Sequence, residues 1–157
     1  MSKNLHIVLI EPEIPQNTGN IGRLCLGLGA VLHLVHPLGF SLSEKAVRRA
    51  GLDYWKNVSL VEHRDINAFL EWVEGKPAFA LSTKANLSHR SVTFPSGAVL
   101  IFGPETRGLS EEMRSRFTAL RIPMTGEIRS LNLSNAVAIV AYQAMSHIDP
   151  ETFGGNG

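Results

Sequence analysis

Apolar residues along this chain fall in short runs, and two periods alternate between them. Residues 5–10, LHIVLI, form a nearly unbroken apolar run of strand length. Glu11-Pro12-Glu13-Ile14-Pro15 breaks it into a loop, and Asn17-Thr18-Gly19-Asn20 follows. Ile21, Leu24, Cys25 and Leu28 then recur at helical spacing, with Gly27 and Gly29 marking the helix end. Residues 31–35 read as a second strand. Ser43 is placed to cap a short helix through Ala50, and residues 58–61 predict a third strand. Asp65 caps a helix over 66–73 that sets Phe69, Leu70 and Val73 on one side. Strands are predicted at 79–81, 98–102 and 119–122, with Ser110 capping a helix over 111–117 between the last two.

Strands alternating with helices imply a single α/β domain over 1–157 with a mostly parallel sheet flanked by helices. Unalternating apolar runs suit parallel strands, which are covered on both faces. Ligands of such sheets bind beyond the carboxyl ends of the strands. Here those ends are residues 81–84, 102–108 and 122–132, three loops rich in Ser, Thr, Gly and Asn. A flexible tail is expected over 150–157, with Gly154 to Gly157 disordered.

The densest stretch is 121–142, RIPMTGEIRSLNLSNAVAIVAY. Pro123 ends a strand, because it cannot donate a ladder hydrogen bond, and Thr125-Gly126 turns the backbone. Ser130, Asn132, Ser134 and Asn135 crowd polar groups ahead of a helix predicted to start near Ser134. That helix is apolar on nearly every face, so it is expected to be buried on nearly every face. In a chain this short, a second subunit is the expected cover.

Composition narrows the classes. Across 157 residues, 44% are hydrophobic, enough for a real core, and no apolar run reaches membrane-spanning length. No signal peptide is read at the start, and one cysteine, Cys25, excludes an internal disulfide; a cytoplasmic protein is expected. A net charge of +1 is too balanced to mark a nucleic-acid binder by bulk charge, so any such binding needs a local basic patch. The six histidines show no metal-ligand spacing, and no metal is expected.

Three clusters are candidates for chemistry, each with a plain structural alternative. Gly103-Pro104-Glu105-Thr106-Arg107-Gly108-Leu109-Ser110 nearly spells a phosphate loop, but Leu109 stands where the lysine is required and Pro104 removes a backbone donor. The turn allows close approach of a ligand, or is simply a tight turn before a helix. Asn17 and Arg23 put an amide and a guanidinium at the start of a helix; the alternatives are a cap and a solvated side chain. Ser130 and Asn132 form a polar site or satisfy backbone groups at a helix start. Lys45, Arg48, Arg49 and Lys56 are phosphate contacts or a solvated face, and Cys25 reads as core.

Together these residues resemble a known pattern. Asn17-Thr18-Gly19-Asn20-Ile21-Gly22-Arg23 resembles the first motif of the SPOUT superfamily of RNA 2′-O-ribose methyltransferases. Phe102 to Leu109 resembles the second motif; Ile122-Pro123-Met124, with Ser130 to Ala136, resembles the third. Chain length and Arg48-Arg49-Ala50-Gly51-Leu52-Asp53-Tyr54 narrow the resemblance to the minimal bacterial members that methylate the tRNA wobble nucleotide, cytidine or uridine at position 34.

The resemblance implies an α/β fold with a C-terminal trefoil knot over about 77–148, and a homodimer joined through the last helix. General topology rules would not produce a knot. It implies S-adenosylmethionine as cofactor, with S-adenosylhomocysteine as product, held by Leu81, Gly103, Ile122, Met124, Ser130 and Leu131. Arg23, Asn17, Glu105, Ser130 and Asn132 are its implied catalytic set, and sites are built from both subunits. The implied partner is the tRNA anticodon stem-loop, with Arg48, Arg49, Lys84, Arg129 and Tyr142 as RNA contacts. The alternatives are another tRNA or ribosomal RNA position, or a non-catalytic RNA-binding module.

Overall fold

The structure, a computed structural model, describes residues 4–43 and 52–155 of the chain, without the side chains of Leu52 and Asp53. Residues 44–50 of the helix expected from Ser43 to Ala50, Arg48 and Arg49 among them, lie outside the described residues.

Among the described residues seven strands make one sheet: β1 (Leu5–Ile10), β2 (Val31–Val35), β3 (Leu60–His63), β4 (Ala78–Leu81), β5 (Leu87–Ser88), β6 (Ala98–Phe102) and β7 (Thr118–Arg121). Their order is β3-β2-β1-β6-β4-β7-β5, and every neighbouring pair runs parallel. The helices are α1 (Pro15–Leu28), α2 (Ile66–Val73), α3 (Glu111–Arg116), α4 (Leu133–Ile148) and α5 (Pro150–Phe153), with 3₁₀ turns at Leu52–Asn57 and His89–Ser91.

The alternation of side chains along each strand divides the core in two. Leu5, Ile7 and Leu9 join Leu32, Leu34 and Leu100 beneath α1 and α4. Val8, Ile10, Val35 and Ile101 face the other way, against Phe69 and Val73 of α2 and Met113 of α3. Each fully buried aliphatic side chain contributes roughly 1.5–3 kcal/mol, which is why the central strands tolerate no polar interruption on the α1 side.

The α2 side does carry one. His6, His33 and His63 sit at diagonal positions on β1, β2 and β3 and form a hydrogen-bonded row: His6 Nδ1 to His33 Nε2 is 2.9 Å and His33 Nδ1 to His63 Nε2 is 3.0 Å. The Trp72 ring packs against all three. Burial, reinforced by the neighbouring histidines and Lys76, pushes the His33 imidazole down to about 3.

Several boundaries differ from the sequence reading. Helix α1 begins at Pro15, so Asn17 lies inside its first turn and is buried. Strand β3 starts at Leu60 rather than Val58, because Val58 N closes the preceding 3₁₀ turn on Trp55 O at 3.1 Å. Helix α4 is capped by Asn132, whose Oδ1 accepts from Ser134 N at 2.9 Å and Ser134 Oγ at 2.6 Å; Ser134 is inside the helix. The sequence pattern does not predict the two-residue strand β5. Its following turn is tied to α4, where His89 Nδ1 meets Gln143 Oε1 and Gln143 Nε2 donates to His89 O at 2.7 Å. A loose tail from residue 150 gives way to α5, a helical turn capped by Asp149 and stacked edge-on to Tyr142 through Phe153. Finally, α4 buries Val137, Val140, Ala141, Ala144 and Met145 but leaves Ile139 and Tyr142 exposed, so within one chain it is covered on one side.

Candidate active site

Three loops at the carboxyl ends of β4, β6 and β7 converge with the start of α1 on a cavity of about 630 Å³. Residues 81–84 form one wall. Ser82 N donates to Leu120 O at 2.9 Å, and the Ser82 hydroxyl accepts from Lys84 N at 3.1 Å, which holds this loop against β7.

The second wall is the glycine loop after β6. Gly108 N donates to Pro104 O at 2.8 Å, and Gly108 takes φ +67°, a left-handed conformation that favours glycine. Gly103 is needed for a different reason. A Cβ there would stand 2.4 Å from Gly108 C and Leu109 N, so the loop folds onto itself only over a bare Cα. Ser110 then caps α3, its hydroxyl accepting from Met113 N at 3.2 Å. Both sequence readings therefore hold: the segment is a tight turn before a helix, and it lines the cavity.

The third wall is the crossing from β7 to α4, with Ile122, Met124, Arg129, Ser130, Leu131 and Asn132. Asn132 Oδ1 is occupied by its capping bonds, and among the described residues no protein acceptor takes its Nδ2.

Helix α1 is anchored to this site by a residue far away in sequence. Ile14 at its N-cap offers no side-chain cap. Instead the Glu105 carboxylate accepts from Glu13 N at 2.7 Å, Ile14 N at 2.9 Å and Asn17 Nδ2 at 3.2 Å. Negative charge at a helix N-terminus is favourable. Glu13 answers by accepting from Thr106 N at 2.9 Å and Thr106 Oγ1 at 2.8 Å, and these bonds hold its carboxyl below the usual range. Glu13 and Thr106 are the pair that sequence reasoning missed, since nothing local marks two residues so far apart as partners.

The structure thus gathers Asn17, Leu81, Lys84, Gly103, Glu105, Ile122, Met124, Arg129, Ser130, Leu131 and Asn132 around one cavity. It does not bring Arg23 or Tyr142 there. Arg23 is exposed further along α1, its Cζ 5.4 Å from the centre of the Tyr54 ring. Tyr142 lies on the exposed side of α4.

The cavity lining carries more basic than acidic side chains. Lys84, Arg107 and Arg129 surround it, and Glu105 is the one acid among its lining residues. Apolar Leu81, Leu109, Ile122, Leu131 and Leu133 alternate with Ser82, Thr83 and Ser130. That mixture suits a ligand with a flat apolar ring and hydroxyl groups, beside a polyanion. Cys25 takes no part: it is buried in the core, which raises its thiol to about 12. Among the described residues no three His, Cys, Asp or Glu side chains are grouped to hold a metal ion, and no helix is long and apolar enough to cross a membrane.

Comparison with known proteins gives the family and the fold of the chain. The family described as "SpoU rRNA Methylase family" matches residues 4–142. A relative from Methylovorus glucosotrophus, named tRNA (cytidine(34)-2′-O)-methyltransferase, is 49% identical over 91% of this chain and 95% of its own. A solved structure described as giving insight into the 2-OH methylation of C/U34 on tRNA superposes with a TM-score of 0.89 at 50% identity, over 91% of this chain and 95% of the other. An AdoMet-bound rRNA methyltransferase from Sinorhizobium meliloti shares the fold, with a TM-score of 0.86 at 23% identity, over 94% of this chain and 57% of the other.

Proposed function

Because the chain belongs to the SpoU rRNA Methylase family, we propose that it transfers a methyl group to the ribose 2′-hydroxyl of the wobble nucleotide, cytidine or uridine 34, in tRNA. The observation that carries this reading is the match at about half identity across nine-tenths of the chain to relatives of that name. The convergence of all three motif loops on one cavity supports it.

S-adenosylmethionine, when bound, supplies a methyl group made electrophilic by its sulfonium. The residues present fit it. Leu81, Ile122, Met124 and Leu131 offer apolar walls, Gly103 lets the loop close, and Ser130 offers a hydroxyl. The chain's own task is alignment, since bringing the hydroxyl into line removes much of the barrier as orientation. Asn17, held by Glu105, presents a fixed amide at the cavity edge for the ribose or its neighbouring phosphate. Glu105 is then an anchor of that amide. Ser130 and Asn132 complete the polar rim.

Arg23 acts as a fixed positive charge that stabilises the developing alkoxide. A guanidinium loses its proton only above about pH 12, which disfavours it as a base. Six positions along α1 from Asn17, about 9 Å, put Arg23 beyond its own cavity; it serves the cavity of a second subunit. The apolar side of α4 left open in one chain supports a homodimer through that helix. The C-terminal knot over about 77–148 is proposed from the resemblance to the superfamily; after β7, α4 returns to pack on α1 and β1. Lys84 and Arg129, with Arg48 and Arg49, are the proposed contacts to the anticodon stem-loop, in the cytoplasm where tRNA is modified; Tyr142, on the open side of α4, is an interface residue or positions RNA at the rim of that interface.

The family description, which names ribosomal RNA, favours a second reading in which an rRNA ribose is the substrate. Methylating purified tRNA and rRNA with labelled cofactor, then mapping the product by nuclease digestion and mass spectrometry, separates the two. Label at nucleotide 34 is expected; label elsewhere, or no cofactor binding by calorimetry with and without tRNA, overturns the proposal.

A further inference from the structure

We infer that Tyr54 is a positioning residue for Arg23, holding the guanidinium by its face and leaving its edge for the reacting ribose or a phosphate. This rests on the reading of Arg23 as a charge clamp.

An exposed arginine has many rotamers, and ordering it at the moment of reaction costs free energy. An acidic partner would order it but would occupy the N–H groups that the reaction needs. An aromatic ring solves this, because cation and ring meet face to face while all five N–H groups stay in the guanidinium plane. Arg23 Cζ stands 5.4 Å from the Tyr54 ring centre, and no acid pairs with Arg23 among the described residues. Tyr54 is 46% exposed, so its ring is not held in place by the core.

A second contact sets the register of this pair. A Cβ on Gly22 would lie 2.6 Å from Trp55 Cζ3 and 3.0 Å from Cε3, so the indole is seated on the bare backbone of α1. Trp55 also packs on the core, and Val58 N closes the turn on Trp55 O. Gly22 adjoins Arg23 and Trp55 adjoins Tyr54, so docking one pair of neighbours aligns the other.

The experiment compares single-turnover and steady-state methylation of tRNA by the full-length wild type and its Tyr54→Leu, Tyr54→Phe, Gly22→Ala and Arg23→Ala variants. Tyr54→Leu is expected to lower kcat by about five- to tenfold, with KM for the cofactor and the melting temperature unchanged. Tyr54→Phe, which keeps the ring, recovers most of the rate. Gly22→Ala displaces the indole and lowers kcat in the same direction. The ¹⁵Nε order parameter of Arg23 falls in Tyr54→Leu, a signature that a purely structural role would not give. An inactive Arg23→Ala beside a Tyr54→Leu variant of wild-type kcat overturns the positioning role alone, as does a Tyr54→Leu defect confined to KM for tRNA. Full turnover by Arg23→Ala overturns instead the reading of Arg23 on which it rests.

Discussion

Glu13 and Glu105 hold each other's loops: Glu105 accepts from the Glu13 backbone N–H at 2.7 Å, while the Glu13 carboxylate accepts from Thr106, next to Glu105, at 2.9 and 2.8 Å. Two like charges are tolerated because each is spent on donors from the opposite loop. The clasp joins the glycine loop to the start of α1 and fixes Asn17 at the cavity. Glu105→Ala should lower stability by about 1.5–3 kcal/mol, the range for hydrogen bonds to a charged group. It should also cut methyl transfer more than tenfold as Asn17 loses its anchor. Urea unfolding and initial rates test this; an unaltered rate would show that the anchor is irrelevant to chemistry.

The two glycines of the same loop should fail differently. Gly103→Ala places a methyl 2.4 Å from backbone atoms that cannot swing aside, so the loop must open. Cofactor affinity measured by calorimetry is expected to drop at least about tenfold, from loss of a preformed site. Gly108→Ala meets nothing within 4 Å and only strains a φ of +67°. It should cost about 1–2 kcal/mol of stability and leave affinity near wild type. Equal affinities for the two variants would remove the steric argument.

What was legible in the sequence follows from how local each cause is. Asp65 caps α2 and Ser110 caps α3 through bonds to a residue three positions on, so both helix starts are legible in the sequence. The start of α1 is not, because its cap is a carboxylate 91 to 92 residues away. The histidine row was invisible for the same reason: its members are 27 and 30 residues apart, and only the strand order makes them neighbours. The three cavity loops were legible because parallel sheets place ligands at strand ends, whatever the register. That Arg23 stands clear of its own cavity was not, since it depends on the packing of α1.

The histidine row predicts a pH dependence. Burial lowers His6, His33 and His63 below the ordinary histidine range, His33 to about 3. The folded chain refuses protons that the unfolded chain accepts, so stability rises with pH across this window and falls as pH drops below about 6.5. For His33 the loss approaches about 1.4 kcal/mol per pH unit below the unfolded value, and it is smaller for His6 and His63, which solvent partly screens. Urea midpoints measured between pH 7 and pH 5, above most carboxylate titrations, should decline steadily. A flat profile would mean that the row accepts a proton without loss.

Ile139 and Tyr142 mark the side of α4 that the chain itself leaves open, at 42% and 50% exposure, three residues apart and therefore on one face. If two copies close over this face, symmetry brings each residue to the interface twice, and every fully buried Ile adds roughly 1.5–3 kcal/mol. Ile139→Asp would instead bury two unpaired carboxylates close together, which costs more than the lost apolar contact. The variant should sediment as a monomer at concentrations where the wild type is a dimer. It should also lose methyl transfer, because Arg23 could no longer reach a partner's cavity, while its circular dichroism stays that of a folded chain and its melting temperature falls by the stability the interface supplied. An Ile139→Asp variant that stays dimeric and active would place the interface elsewhere.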